Sequence, residues 1–166
     1  MKKHSFDSDS AALKKALRLA RDEKVEEAQE LLSTIEVSEL GSEDARSAAL
    51  AYAQCKKMEM SKRCWERVVS TGDEVAGDRF MLASAQADIG SWDEALQNLL
   101  REIDLATSSG NDYYLSAAVI VAAGILLNRH DKSSAKQLLA LVPDDAGYYV
   151  RGVGFRTKLQ LLAGTN

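Results

Sequence analysis

The sequence predicts an all-α fold of antiparallel helical hairpins, and three observations carry that prediction. Apolar residues recur every three or four positions along almost the whole chain, the period of a helix with one buried face. Ala, Leu, Glu, Lys, Gln and Arg dominate and Pro143 is the single proline, a composition of strong helix formers with few breakers. Short polar breaks punctuate the pattern at intervals of about ten to eighteen residues, and loops that short make neighbouring helices run antiparallel. No stretch alternates with period two, so no strand is expected.

Taken in order, Leu13, Ala16, Leu17 and Ala20 form the first stripe, predicting a helix over 9–21. Val25, Ala28, Leu31, Leu32 and Ile35 form the second, over 24–36. The same periodicity predicts helices over 42–58, 61–71, 74–89, 92–107, 112–129, 132–142 and 145–163. The breaks between them include Asp22-Glu23-Lys24, Glu39-Leu40-Gly41-Ser42, Thr71-Gly72-Asp73, Ile89-Gly90-Ser91, Ser108-Ser109-Gly110-Asn111 and Arg129-His130-Asp131. Several place Gly past one helix end and Ser or Asp before the next start, which is C′ and N-cap chemistry. The most apolar run, Leu115 to Leu127, would span about 20 Å as a helix, short of the ~30 Å of a bilayer core, so it reads as a buried helix. Eight helices pair into hairpins at about 9–36, 42–71, 74–107 and 112–142. The ninth closes the stack as a capping helix, giving one domain over 1–166.

Composition narrows the function classes. With 46% hydrophobic and 28% charged residues the chain has enough apolar surface for a core. A net charge of −4 argues against nucleic acid as a partner, because phosphate neutralisation needs a basic face. Cys55 and Cys64 are nine positions apart and make neither a zinc pattern nor a disulfide framework. Asp7 and Asp9 follow the basic start Met1-Lys2-Lys3-His4-Ser5 where an apolar leader core would begin, so no secretory signal is expected and a cytoplasmic site is. His4 and His130 are the only histidines, and neither has a second ligand at metal-binding spacing. Gly152-Val153-Gly154 sits in an apolar run with no strand expected before it, which is the wrong setting for a phosphate loop. No catalytic residue, metal site or cofactor is expected, and the chain is not expected to be an enzyme.

The clearest internal signal is a turn, then a small residue, then an apolar pair. Gly90-Ser91-Trp92-Asp93-Glu94-Ala95-Leu96-Gln97-Asn98-Leu99-Leu100 is the best copy. The segments 23–32 and 130–139 repeat it, and 59–69 does so more weakly. The small residues Ala28, Cys64, Ala95 and Ala135 are 36, 31 and 40 apart. A small side chain early in a second helix lets two backbones approach, and Leu32, Val68, Leu99 or Leu139 fills the layer four residues on. In the first helices, Leu82-Ala83 and Ala122-Ala123 fit a matching large-small or small-small pair, whereas Lys15-Ala16 and Ala51-Tyr52 fit poorly. This pattern resembles the tetratricopeptide repeat, whose period is ~34 residues. The resemblance covers about 9–142, and the family's proline between repeats has a counterpart only at Pro143.

The resemblance implies a right-handed α-solenoid whose first helices line a concave groove for a peptide or helix segment of a partner. Carried onto this chain, the groove-facing residues are Leu13, Leu17 and Arg21; Arg46, Ala49, Ala53, Lys56 and Lys57; Phe80, Ser84 and Asp88; and Ile120, Gly124 and Asn128. It implies a non-enzymatic adaptor, assembly factor or secretion-type chaperone that binds another protein, with no membrane insertion and with a homodimer left open. The family's Lys/Asn clamp for a terminal carboxylate is not reproduced. Charge offers a rival surface. Residues 22–44 hold nine acids against one lysine, a net of −8, while 54–67 carry a net of +3. A toxin-neutralising or regulatory protein would bind through that charged outer face. An all-helical enzyme is the remaining alternative.

Overall fold

The computed structural model describes residues 6–150 and 153–165. It is helical save for one short hairpin. The helices are α1 (Phe6–Arg21), α2 (Val25–Ser33), α3 (Ser42–Gln54), α4 (Met58–Ser70), α5 (Asp78–Asp88), α6 (Trp92–Ser109), α7 (Asp112–Asn128), α8 (Lys132–Leu139) and α9 (Lys158–Ala163). Strands β1 (Gly147–Val150) and β2 (Gly154–Thr157) pair antiparallel, with Tyr149 opposite Phe155 and Tyr148 opposite Arg156. A single 3₁₀ turn, Val37–Glu39, lies between α2 and α3.

Five helix-to-helix turns share one geometry; at Gly110 (φ 67°) the Asn111 N–H donates to the Ala106 carbonyl at 2.9 Å, and the other four lie within the sequence repeat. Glu23, Lys56, Gly90 and His130 take left-handed φ values of 62°, 58°, 84° and 62°. The residue after each, Lys24, Lys57, Ser91 or Asp131, is the N-cap of the next helix, with ψ between 63° and 72°. The N–H groups of Lys24, Lys57 and Asp131 each donate to the carbonyl five residues back (Leu19, Tyr52, Leu126) at 2.9 Å. That bond ties off an orphan carbonyl at the end of the first helix, as in a Schellman motif.

Counting from these four turns sets the repeat. Five residues on stand Ala28, Ser61, Ala95 and Ala135, spaced 33, 34 and 40. Seven residues back stand Ala16, Ala49, Ala83 and Ala123, and all eight are at most 1% exposed. Nine residues on, Leu32, Trp65, Leu99 and Leu139 fill the next layer and are buried. The second copy therefore registers on Ser61, not Cys64, with Trp65 in place of Val68. Cys64 misled because it too is small and buried, one turn further on. The Ser61 hydroxyl donates to the Ala49 carbonyl at 2.9 Å, joining the small positions of α3 and α4 directly. Side chains larger than these would hold the two backbones apart.

Two compact units emerge. The first holds residues up to 74 together with 84–90; the second holds 75–83 and everything from Ser91 onward. In the first, α1 packs on α2 and on α3, α2 on α3, and α3 on α4. Tyr52 donates its hydroxyl to the Leu32 carbonyl at 3.0 Å inside that core. In the second, α7 packs against α6, α8, β1 and α9. Its residues Ala117 to Ile120, Ala122 and Ala123 are all buried, which accounts for the apolar run there. Among the described residues no helix is long and apolar enough to cross a membrane.

Three expectations need correction. The closing segment 145–163 is not one helix but β1, β2 and the short α9. Tyr148, Tyr149, Val150, Phe155 and Thr157 are β-favouring side chains, and Gly154 at φ 97° interrupts any helix. A Cβ on Gly147 would stand 2.6 Å from the Phe155 ring, so that pairing requires glycine there. Of the glycine pair sought as a phosphate loop, Gly154 opens β2, while Gly152 lies outside the described residues, as His4 does. The helix expected over 42–58 ends at Gln54, because the left-handed Lys56 turns the chain without a glycine to announce it. The helix expected from 74 starts at Asp78, after Gly77 at φ 105°.

Candidate functional site

The repeat register decides where each groove candidate lies. Leu13, Ala49, Phe80 and Ile120 are buried and belong to the core, which corrects their assignment to a groove surface. Leu17, Arg46, Ala53, Ser84 and Gly124 are half-buried, and Arg21, Lys56, Lys57, Asp88 and Asn128 are exposed. Arg46 is already engaged, donating to the Asp73 carbonyl at 2.8 Å. Lys56 and Lys57 sit in the turn after α3 rather than on a helix face.

The residues that follow the first-helix alanines are Leu17, Leu50, Ser84 and Gly124, and all four are half-buried. Four residues further on, Arg21, Gln54, Asp88 and Asn128 are all exposed. Leu50 and Gln54 escaped the sequence reading, because Ala49 was read as a surface position instead of the counterpart of Ala16. In the first unit α1 and α3 pack side by side. Leu17 and Leu50 hold equivalent places on them, each offering part of an aliphatic side chain with a polar residue one turn beyond.

The second unit holds a buried acid. Glu102 falls where the other three copies have Ile35, Val68 and Val142, and it is 0% exposed. Its Oε1 accepts the Gly77 N–H at 2.6 Å and its Oε2 the Phe80 N–H at 3.2 Å. Both amides stand at the start of α5, where the helix itself supplies no acceptor. Burial pushes the Glu102 carboxyl above the ordinary range, the amides of Gly77, Phe80 and Arg79 pull it back, and neighbouring Asp78 adds to the rise. Around it lie Phe80, Tyr114, Tyr113 and Tyr148, with the Phe80 and Tyr148 rings edge to face at 5.2 Å. Burial pushes the Tyr148 hydroxyl up to about 12. With both oxygens occupied by backbone donors, Glu102 is a helix cap and not a general base. The pattern Arg101-Glu102-Ile103-Asp104 reads as solvated surface in sequence, so nothing there signalled burial.

An open cleft of ≈ 560 Å³ lies in the first unit, between α4 and the chain that leaves α2. Ile35, Val37 and Met60 line it together with Arg63 and Arg67. Arg67 donates its Nε–H to the Leu40 carbonyl at 2.9 Å. Among the described residues no group of His, Cys, Asp and Glu is arranged to hold a metal ion. Cys55 and Cys64 are free and buried, and burial pushes the Cys64 thiol up to about 12.

No protein-family model, no curated protein and no solved structure matches the chain.

Proposed function

We propose that this chain is a non-enzymatic, tetratricopeptide-like protein-interaction module that holds a peptide or helix segment of another protein. The observation that carries the reading is the recurrent unit: one turn geometry that at four of its five occurrences is flanked by small residues at fixed distances on both sides. A period of 33 and 34 residues in the first three copies matches the family's ~34. Such repeats present the groove-lining face of their first helices to a partner. Here that face in the first unit is Leu17 and Leu50, edged by Arg21 and Gln54, where an apolar anchor with a polar rim suits an amphipathic segment. The roles that fit are adaptor, assembly factor or secretion-type chaperone.

The test is site-specific photocrosslinking in native extract, with the crosslinker at Gln54 on the first-helix face or at Glu30 on the acidic face of α2. The expected result is one protein captured from Gln54, lost when Leu17 and Leu50 are both changed to Lys, and absent from Glu30. Capture from Glu30 alone would move binding to the acidic outer face and replace this reading with a toxin-neutralising or regulatory one.

A further inference from the structure

We infer that the cleft between α4 and the chain leaving α2 is a second docking site, built for a short segment of another protein that sets an aliphatic side chain beside a side-chain carboxylate. Its floor is aliphatic, from Ile35, Val37 and Met60, and each of these is only half-buried. Arg63 and Arg67 are four residues apart on α4, so both guanidinium groups lie on one face of that helix. Arg67 spends only its Nε–H on the Leu40 carbonyl, and no ion pair reaches either arginine among the described residues. Glu36 and Glu66 also border the cleft, but among the described residues neither pairs with Arg63 or Arg67. The hydroxyl of Ser38, itself in the lining, donates to Glu36 at 2.9 Å, and Lys62 stands 3.8 Å from Glu66. The cleft therefore carries uncommitted guanidinium donors above an apolar floor.

That combination selects the occupant. Guanidinium groups bind carboxylates through paired N–H donors. A bare anion would leave the aliphatic floor wet, so the ligand needs an apolar side chain as well. A volume of ≈ 560 Å³ falls within the range of small-ligand pockets, room for a short segment and not a folded domain. A second copy of this chain fits less well. Its acidic helix α2 exposes Glu26, Glu27 and Glu30 beside half-buried Val25 and Leu31, but it presents them on a folded helix packed against α1 and α3 and not as the short segment for which the cleft has room.

The probe is a C-amidated peptide, Leu-Glu-Leu-Glu-Leu, titrated into the ¹⁵N-labelled full chain beside its Gln counterpart, Leu-Gln-Leu-Gln-Leu. The Glu peptide is expected to shift the amides of Val37, Met60 and Arg63, and to bind at least tenfold more tightly than the Gln peptide. R63Q, at an exposed position with no hydrogen bond or ion pair among the described residues, should weaken the Glu peptide at least fivefold, leave the Gln peptide unchanged and leave the melting temperature unchanged. Equal affinity for the two peptides, shifts confined to other regions, or no binding at millimolar peptide would overturn the assignment. So would inorganic phosphate shifting the same amides as strongly as the peptide. Self-association in light scattering that R63Q abolishes would hand the cleft to a second copy and overturn it too.

Discussion

Glu102 offers the sharpest test of how the third copy is built. Replacing it by Val restores the kind of residue found at Ile35, Val68 and Val142, and it removes a carboxylate that burial disfavours. Against that gain stand the Gly77 and Phe80 amides, which lose acceptors at 2.6 and 3.2 Å in a buried setting. Leaving a buried donor unsatisfied costs about 1–3 kcal/mol each, so two cost about 2–6. Added apolar surface returns on the order of 1–2 kcal/mol. The net expectation for E102V is a loss of up to about 5 kcal/mol at pH 7, measured by urea unfolding. E102Q keeps an acceptor and should lose less. The pH dependence has a defined sign. The folded carboxyl sits above its ordinary value, so the native state binds more protons than the unfolded chain between the two. The group's contribution is then full below the unfolded value and is lost as pH rises through the folded one. The stability gap between wild type and E102Q should accordingly widen as pH falls from 7 toward the ordinary carboxylate range. Hydrogen exchange at Gly77 and Phe80 should quicken in E102V before the rest of α5 opens. An E102V protein as stable as wild type, with those amides still protected, would refute the capping argument.

Further outcomes follow from the repeat register. Ala95→Leu forces a large side chain into a fully buried small position and should cost about 1–3 kcal/mol, read as a lower melting temperature. Ser61→Ala should cost less, about 0.5–1.5 kcal/mol, because it deletes only the bond to Ala49 and preserves the close approach. His130→Gly should raise stability by about 0.5–1 kcal/mol, since φ 62° strains any residue with a Cβ. Cys64 should resist iodoacetamide at pH 8 in the native protein and react promptly in urea, because burial holds the thiol protonated with its pKa at about 12.

Legibility in the sequence tracked the chemistry of each signal. Eight helices were readable because their buried stripes repeat at the helical period and because Gly90, Gly110, Ser91 and Asp131 mark several ends. The turn at Lys56 was missed since a left-handed lysine looks like any other surface cation, and the misplaced helix end carried the second copy's register with it. The groove candidates suffered for the same reason: once Ala49 is recognised as the counterpart of Ala16, Leu50 and Gln54 follow. The hairpin at 147–157 was hidden because Tyr, Val and Phe serve either a helix or a strand in so short a run, and its glycines were read as weakening a helix. Glu102 was invisible, as its burial depends on amides 22 and 25 residues away.

What repeats and what varies can be separated by distance from the turn. The conserved geometry runs from seven residues before each of the repeat's four left-handed residues to nine after it, the stretch from Ala16 to Leu32 in the first copy. Beyond it the second helices differ, with 9, 13, 18 and 8 residues in α2, α4, α6 and α8. The reason is mechanical. The tight turn fixes how two helices leave it, and in α1–α2, α3–α4 and α7–α8 the small residues on either side belong to helices that pack on each other. Substitutions near the turn therefore act on stability, whereas the far ends of the second helices are free to diverge. Ile35 and Val37, which line the charged cleft, lie just past that limit in the first copy, and Glu102 lies just past it in the third. The features that distinguish one copy from another thus collect where the repeat ceases to dictate sequence, and a chain of near-identical hairpins gains individual surfaces there without loosening the contacts that hold each hairpin together.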